Sequence, residues 1–290
     1  MPLFRSWLFV PGNQPRMLAK APSLGADVLL FDLEDSVPLA EKPRARELVA
    51  EAIAGLVGQA RPPAYVRVNA LQTGLCSEDI AAIARPGLAG VMLPKVDTAE
   101  RVAEAEALLE QAEASGLAAG RLTLVPIVET ALGLVWAFEI ASASPRIVAV
   151  AFGAEDFALD MGLIRTREAS ELALARQTVA IAARAAGVGA LDMVYPWVDD
   201  DPGLVASAEV GRRMGYRSKQ VVHPRQVPVV NRLLGYSPDE VAWAERVVAA
   251  YAAAEAEGRG AVSLDGNMVD RPVVERARRI LETGGASGES

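Results

Sequence analysis

Eight short apolar runs, each followed by a stretch rich in Ala, Glu and Arg, divide most of this chain into repeating units. The runs cover residues 5–10, 27–32, 64–69, 90–94, 122–129, 147–153, 190–195 and 219–223. They are almost continuously apolar, which is typical of strands that are covered on both faces in a parallel sheet. Strand–helix alternation repeated about eight times predicts a (β/α)8 TIM barrel over residues 1–235.

A doubly wound open sheet is the alternative fold for the same alternation. The dinucleotide-binding folds of that class carry a Gly-x-Gly-x-x-Gly turn directly after a strand. None of the predicted strands is followed by such a turn. The barrel is therefore the favoured fold class.

The helical segments carry start signals of their own. Asp97 and Glu100 have the spacing of a capping box, which predicts that a helix begins there. Beyond the barrel, residues 236–282 predict a C-terminal helical extension, with a long capped helix, a turn-rich segment and a final helix over 271–281. Residues 283–290 are polar and rich in Gly and Ser, and we expect a disordered tail there.

Charge and composition narrow the class of protein. The net charge is -8 and no basic block stands out, which argues against a nucleic-acid partner. The single cysteine excludes an intrachain disulfide and fits a reducing compartment. No apolar run approaches the roughly 20 residues of a membrane span, and the opening segment makes a poor signal peptide. These features predict a cytoplasmic protein.

Polar side chains recur at the C-terminal ends of the predicted strands, where barrels of this kind carry their chemistry. These residues are Asp32, Glu34, Asp35, Arg67, Asn69, Lys95, Glu129, Glu155, Asp156, Asp192 and His223. Any one of them could equally be a solvated loop residue or a helix cap, and a lone histidine favours a structural role. Their repeated placement at one end of the strands favours a functional site.

The residue types at these ends point to a hard metal ion. One histidine and one cysteine in the whole chain exclude a His-rich metal site and a Ser-His-Asp triad. Carboxylates without such partners favour Mg²⁺, which takes one or two of them and leaves other positions to water and substrate. Glu129 and Asp156 are the predicted ligand pair. The acids expected to hold metal-bound waters and neighbouring cations are Asp32, Glu34 and Asp35.

Arg67 adds a group that can recognise a substrate. Its planar guanidinium can bind a carboxylate through two hydrogen bonds. A metal ion beside such an arginine would bind a 2-oxo or 2-hydroxy acid, with Glu129 close to the substrate. A site of this kind stabilises an enolate or polarises a carbonyl, which suits the cleavage or formation of a carbon–carbon bond.

Eight ordered motifs carry a family resemblance. They are RSWLFVPGN, FDLEDSV, VRVNALQTG, VMLPKV, IVETALGL, FGAEDFALDMG, KQVVHPRQV and DGNMVDRPVV. In this order they resemble the citrate lyase beta subunit-like family, which includes malyl-CoA, citramalyl-CoA and citryl-CoA lyases. The resemblance covers residues 4 to 281, nearly the whole chain.

The resemblance implies a TIM barrel that assembles as a homotrimer and uses Mg²⁺ and an acyl-CoA. The metal carboxylates of the family match Glu129 and Asp156, and its substrate-carboxylate arginine matches Arg67. Its catalytic acid matches Asp270, which the resemblance implies is supplied to the site of a neighbouring subunit. The positions that match its CoA contacts are Phe9, Arg16, Lys20, Gln220 and Val221, with the last two near the adenine.

Two positions depart from the family pattern. Ser218 stands where the family usually has glycine, and we expect its Cβ to narrow the approach of CoA. Trp197 stands where relatives carry smaller or polar residues, and we expect it to reshape the acyl pocket.

The resemblance implies an Mg²⁺-dependent lyase that cleaves a 3-hydroxyacyl-CoA of the citryl, citramalyl or malyl type. The products would be acetyl-CoA and a 2-oxo acid, and the reverse condensation is the same chemistry. Two alternatives stay open. One is a metal-dependent aldolase on free 2-oxo acids, with a Schiff-base variant on Lys95. The other is a beta subunit that works with an acyl carrier protein inside a citrate lyase complex.

Overall fold

The computed structural model describes residues 4–58, 62–116 and 121–284. The chain forms two compact units, Phe4–Leu234 and a segment that begins at Gly235. No helix within the described ranges combines the length and the apolar character that a membrane crossing needs.

The first unit is a closed barrel of eight parallel strands in chain order. The strands are β1 Ser6–Pro11, β2 Val28–Asp32, β3 Ala64–Arg67, β4 Leu88–Leu93, β5 Thr123–Val128, β6 Ala149–Phe152, β7 Gly189–Asp192 and β8 Ser218–Val221. The last strand pairs in parallel with the first, where Trp7 lies beside Gln220. This closure confirms the predicted TIM barrel and excludes the open doubly wound sheet.

Helices follow the strands and cover the outside of the barrel. In the first unit they are α1 Pro15–Lys20, α2 Lys42–Ala54, α3 Cys76–Ile83, α4 Ala99–Ala114, α5 Ala131–Val135, α6 Ala137–Ser142, α7 Ala154–Asp160, α8 Ala173–Ala186, α9 Asp201–Met214 and α10 Gln226–Leu234. Short 3-10 turns lie at Ala21–Ser23, Leu39–Glu41, Leu71–Thr73 and Ser170–Leu172.

The strands bury side chains on both faces, which explains their continuous apolar character. One set of side chains fills the barrel interior, where the rings of Trp7 and Tyr65 lie 4.7 Å apart between centroids. The other set, which includes Leu8 and Val10 of β1, packs between the barrel and the helices. Because successive strand residues face opposite sides, each strand presents alternate residues to the interior, and the last of them reach the barrel mouth.

The predicted capping box at Asp97 is wrong. The helix begins at Ala99, and its cap residue is Thr98, which has extended backbone angles and makes no capping hydrogen bond through its side chain. Glu100 is therefore only two positions from the cap, one short of the spacing that a reciprocal capping box requires.

The second unit is a helix, a hairpin and a second helix. They are α11 Pro238–Ala256, the antiparallel strands β9 Val262–Leu264 and β10 Asn267–Val269, and α12 Arg271–Gly284. Ser237 and Glu240 form a complete capping box at the start of α11, so the predicted capped helix is confirmed. The turn-rich segment forms the hairpin, because Asp265 and Gly266 both take positive φ angles at its turn. The predicted tail lies outside the described residues, apart from the end of α12.

Candidate active site

A pocket of about 440 Å³ opens at the C-terminal mouth of the barrel. Its walls come from the ends of six of the eight strands and from the segments that follow β2, β5, β6, β7 and β8. The lining residues are Phe9, Pro11, Asp32, Asp35, Ser36, Arg67, Ile127, Glu129, Phe152, Gly153, Ala154, Glu155, Asp156, Val194, Gln220 and Val222. The mouth therefore combines apolar side chains with polar side chains that the strand ends predicted.

Arg67 and Asp32 form a bidentate ion pair at the ends of β3 and β2. Arg67 donates from Nε and Nη2 to the two carboxylate oxygens at 2.7 and 2.8 Å. Burial alone would raise the pKa of Asp32, but the charge and hydrogen bonds of Arg67 outweigh burial and lower it. The ring of Phe9 lies under the guanidinium, 4.9 Å from ring centroid to Cζ. Arg67 is therefore fixed in position and always charged.

The remaining amine of Arg67 faces two further acids. Nη1 lies 2.9 Å from Glu34 and 3.3 Å from Asp35. Glu34 is buried, whereas the side chain of Asp35 is exposed. The contact to Asp35 is thus the longest and the most solvent-exposed of the contacts that the guanidinium makes with these acids. A substrate carboxylate could replace it most easily.

Lys95 links the acids after β2 to the pair at β5 and α7. Its Nζ lies 2.9 Å from Glu34 and 3.9 Å from Asp156. Its backbone takes a positive φ of 55°, and its N–H donates to Glu129 at 2.6 Å. Burial would lower the pKa of Lys95, but Glu34 raises it overall. A lysine with a raised pKa is a poor Schiff-base nucleophile at neutral pH.

Glu129 is a buried carboxylate without a cationic partner. Its residue is only 3% exposed, and no cationic group of the described residues lies within ion-pairing distance. Burial, followed by the negative charges of Asp156 and Glu34, raises the pKa of Glu129 to about 8. A Cβ at Gly153 would clash with the Glu129 side chain, so glycine allows β6 to end against this carboxylate.

The Glu129–Asp156 pair also borders a second cavity of about 410 Å³. Asp156 lies in the first turn of α7, and its side chain is one-third exposed. Residues after β3 and β4, among them Gln72 and Lys95, line the far side of this cavity. The two carboxylates therefore stand where two solvent-accessible spaces meet.

The donor set fits a divalent ion that prefers oxygen. Around the mouth, five carboxylates (Asp32, Glu34, Asp35, Glu129 and Asp156) face two cations, Arg67 and Lys95. A divalent ion would offset the excess negative charge. Among the described residues, no group of three or more His, Cys, Asp or Glu side chains forms a closed metal site. A metal here would take two carboxylates and leave its other positions open, which is the usual arrangement for Mg²⁺.

The residues expected to contact CoA do not all lie at the pocket. Phe9 and Gln220 line it. Arg16 and Lys20 are exposed on α1, outside the lining. The side chain of Val221 is fully buried against the helices, and a CoA contact at this residue stays a prediction. The neighbouring Val222 lines the pocket instead, since side chains alternate along β8.

Asp270 lies in the second unit, between β10 and α12. Its residue is half-buried, and its carboxylate accepts a hydrogen bond of 3.4 Å from the N–H of Val273. The long bond leaves most of the carboxylate's hydrogen-bonding capacity free. The position is compatible with a cap of α12 and with the predicted role as an acid.

Three of the polar residues predicted at strand ends have structural roles. Asp192 turns away from the mouth and pairs with Arg176 and Lys219 against the helices. The side chain of Asn69 is buried and donates to Asp79. His223 accepts a hydrogen bond from the N–H of Arg225 through Nδ1, as the lone-histidine reading favoured.

The two departures from the family pattern lie away from the pocket lining. Ser218 is the first residue of β8, at the opposite end of the strand from the mouth, and its hydroxyl donates to the carbonyl of Phe4. Trp197 packs against Tyr195, with 5.0 Å between ring centroids, and Arg165 and Arg167 lie over its ring. Neither residue narrows the pocket described above.

The barrel and its mouth define a class of enzyme that holds carboxylates and an arginine at strand ends for chemistry on small acids. Comparison with protein families makes the assignment specific. Residues 5–224 match the HpcH/HpaI aldolase/citrate lyase family. The chain belongs to this family, which confirms the resemblance read from the ordered motifs and the prediction of a lyase.

Individual relatives cover nearly the whole chain. The chain is 40% identical to the citrate lyase subunit beta of Leuconostoc mesenteroides subsp. cremoris, over 98% of this chain and 94% of that protein. It is 32% identical to the human mitochondrial citramalyl-CoA lyase, over 96% and 84%. The structure of the protein CitE from Mycobacterium tuberculosis, in complex with magnesium, acetoacetate and coenzyme A, matches with a TM-score of 0.78 and 36% identity, over 97% and 98%.

Proposed function

We propose that this protein is an Mg²⁺-dependent carbon–carbon lyase that cleaves a 3-hydroxyacyl-CoA of the citryl, citramalyl or malyl type. The products are acetyl-CoA and a 2-oxo acid, and the condensation is the reverse reaction. The observation that carries the proposal is the buried, cation-free Glu129 beside Asp156, in a pocket that also holds Arg67. The related M. tuberculosis protein has been crystallised with magnesium, acetoacetate and coenzyme A.

Glu129 and Asp156 are the proposed metal ligands. Bound Mg²⁺ would supply a Lewis acid that stabilises negative charge on the substrate oxygens. Without a cation, the raised pKa of Glu129 means that the carboxyl group holds a proton near neutral pH. Metal binding and protonation therefore compete at Glu129. The N–H of Lys95 holds one oxygen of this carboxylate in place.

Arg67 is proposed to bind the distal carboxylate of the acyl group. Asp32 holds the Nε and Nη2 side of the guanidinium rigidly, and Phe9 supports its face. A substrate carboxylate would replace the exposed Asp35 at Nη1. Because the arginine is already oriented, little side-chain entropy is lost when the substrate binds.

Bond cleavage requires one proton to leave the substrate and one to enter the product. The 3-hydroxyl gives its proton to water, the adjacent carbon–carbon bond breaks, and the electron pair of that bond becomes the enolate of acetyl-CoA. Asp270 is the proposed acid that protonates the enolate carbon, or the base that removes this proton in the condensation. We further propose that Asp270 acts in the site of a neighbouring subunit of a homotrimer.

The CoA contacts are proposed at the β1–α1 side of the mouth. Phe9 lines the pocket, and Arg16 and Lys20 present two exposed cations on α1 that suit phosphate groups. Val222, the residue after β8, lines the pocket and offers a further side chain to the ligand. The cytoplasmic location stays a prediction from sequence.

A beta subunit that needs an acyl carrier protein is the second candidate. Several relatives, including the Leuconostoc mesenteroides protein at 40% identity, are citrate lyase beta subunits. A carrier-bound thioester would present the same acyl group to the mouth. An aldolase acting on free 2-oxo acids would use the same metal pair, but it would leave Asp270, Arg16 and Lys20 without roles.

The test is a mass-spectrometric assay of the purified protein with malyl-, citramalyl- and citryl-CoA, each with Mg²⁺ and with EDTA. We expect metal-dependent loss of one thioester, at least a hundredfold slower in Asp270→Asn. Asp265→Asn is the matched control, because Asp265 lies in the same unit with an exposed side chain. Loss of none of the thioesters by folded, Mg²⁺-bound protein would contradict the proposal. Turnover that appears only on a carrier protein would favour the second candidate.

A further inference from the structure

The side-chain amide of Gln220 has a fixed orientation inside the barrel mouth. Its Nε2 donates two hydrogen bonds of 3.1 Å, to the carbonyl of Phe152 and to the carbonyl of Asp192. These are the last residues of β6 and β7. Since carbonyl oxygens only accept, the nitrogen of the amide must face both of them. The oxygen, Oε1, consequently points away from the two strand ends.

Among the residues that the structure describes, this oxygen has no hydrogen-bond partner. Gln220 is only 4% exposed, yet no donor among the described residues reaches Oε1. The atom is not sealed in the core either, because Gln220 lines the mouth pocket. A buried side chain thus holds an open acceptor at the pocket, and an acceptor left without a donor costs about 1–3 kcal/mol in general.

Gln220 lines the same pocket as Glu129 and Arg67, which are proposed to hold the metal ion and the acyl carboxylate. Phe152, which receives one Gln220 hydrogen bond, is followed by Gly153, where a Cβ would clash with the Glu129 side chain. The Gln220 amide and the proposed metal carboxylate therefore flank the same end of β6. The exposed cations of α1, Arg16 and Lys20, are not among the residues that line this pocket. This placement differs from the adenine contact that the resemblance implied for Gln220.

We propose that Gln220 Oε1 accepts a hydrogen bond from the hydroxyl group of the hydroxyacyl substrate. The inference rests on the proposed function and identifies the group that distinguishes substrate from product. The substrate hydroxyl can donate to Oε1, whereas the keto oxygen of the 2-oxo acid product cannot. A site that binds a hydroxyl group discriminates against an analogue that lacks it, because the protein acceptor is left unpaired. Gln220 is thus a specificity residue that favours the hydroxy acid over the oxo acid.

Lactate and pyruvate form a matched pair of probes, since they differ only in hydroxyl against keto at the second carbon. Calorimetry in saturating Mg²⁺ gives the ratio of their Kd values for wild type, Gln220→Met and Gln220→Lys. Methionine removes both functions of the amide. Lysine keeps donors for the two strand-end carbonyls and removes the acceptor. Gln177→Met is the control, because Gln177 donates to the carbonyl of Met214 away from the mouth.

We expect the ratio to shift by about tenfold toward pyruvate in both Gln220 variants and to stay at the wild-type value in Gln177→Met. A charge effect of the lysine would alter pyruvate binding as well, so the ratio removes it. Retained binding with an unchanged ratio in both variants would overturn the inference but not the proposed function. If the Gln220 variants bind CoA more weakly but keep the wild-type ratio of lactate to pyruvate Kd values, the acceptor belongs to the pantetheine arm of CoA. That result would also overturn the inference. Failure of wild type to bind either acid would count against the proposed function itself.

Discussion

Two buried carboxylates at strand ends of the same barrel have opposite electrostatic surroundings. Asp192, at the end of β7, is 1% exposed and accepts hydrogen bonds from Arg176 and Lys219 at 2.7 and 2.9 Å. Glu129, just after β5, is 3% exposed, and its nearest charged neighbours include the acids Asp156 and Glu34. The two carboxylates are similarly buried and lie at similar positions at the ends of their strands. Only Asp192 has its negative charge compensated by neighbouring cations.

The difference separates a structural charge from a functional one. Burial would raise the pKa of Asp192, but the charges of Lys219 and Arg176 outweigh it and lower the pKa. Burial and the negative charges of Asp156 and Glu34 raise the pKa of Glu129 to about 8, because they outweigh the hydrogen bond from the N–H of Lys95 and the charge of Arg67. A compensated ion pair holds the β7 and β8 ends against the helices. An uncompensated carboxylate can take up either a proton or a metal ion.

The largest expected effect comes from breaking the compensated cluster. Asp192→Asn leaves the buried cations of Arg176 and Lys219 without a carboxylate. We expect the free energy of unfolding to fall by about 3–5 kcal/mol, which is typical when one partner of a buried ion pair is removed. Urea denaturation followed by circular dichroism measures the loss. An unchanged midpoint would show that the cluster is not what stabilises this side of the barrel.

The pH dependence of stability should reveal the uncompensated carboxylate. In metal-free protein the folded state holds a proton on Glu129 up to about pH 8, whereas the unfolded chain releases it near the ordinary glutamate pKa of 4.5. The folded state binds more protons in this window, so stability falls as the pH rises through it. We expect a loss of a few kcal/mol, since one pKa unit corresponds to about 1.4 kcal/mol.

Urea midpoints between pH 5 and pH 9 would measure this slope. The matched variant is Glu129→Gln, which keeps the shape of the side chain and cannot ionise. Its midpoint should depend much less on pH than that of wild type. Parallel profiles for the two proteins would assign the slope to other groups.

The sequence predicted the strands far better than the directions of the side chains at their ends. All eight strands were found because continuous apolar runs mark strands that are buried on both faces. The position of Glu129 at the mouth followed from its place after β5. The same reasoning placed Asp192 there as well, although its side chain turns to the helices and pairs with Arg176.

The reason is that side-chain direction depends on the alternation within a strand and on partners that are remote in sequence. Alternation along β8, with Lys219 and Val221 outward and Gln220 inward, was available in the sequence as a signal and would have identified the amide at the mouth. The pairing of Arg67 with Asp32 joins residues 35 positions apart, and nothing in the local pattern specifies it. The Thr98 cap was missed because the two residues before α4 both resemble caps.

Magnesium should stabilise the folded protein by binding at Glu129 and Asp156. At a hundred times its Kd, an ion that binds only the folded state adds about 2.7 kcal/mol to the free energy of unfolding. Thermal melting with increasing Mg²⁺ should show a rise in Tm for wild type and none for Glu129→Gln. Glu155→Gln is the control, because Glu155 lies beside Asp156 in sequence but pairs with Arg165. An equal rise in all three proteins would place the bound ion elsewhere.

An exposed ion pair provides the smallest expected effect and a third case for the comparison. Asp199 lies 3.1 Å from Arg225, and its side chain is 93% exposed. Water already solvates this carboxylate, so the pair adds little beyond what each charge has alone. We expect Asp199→Asn to leave the urea midpoint, its pH profile and the Mg²⁺ response at the wild-type values. A clear loss of stability would mean that a carboxylate contributes to stability whether or not it is buried. The contrast between Asp192 and Glu129 would then not explain their different effects.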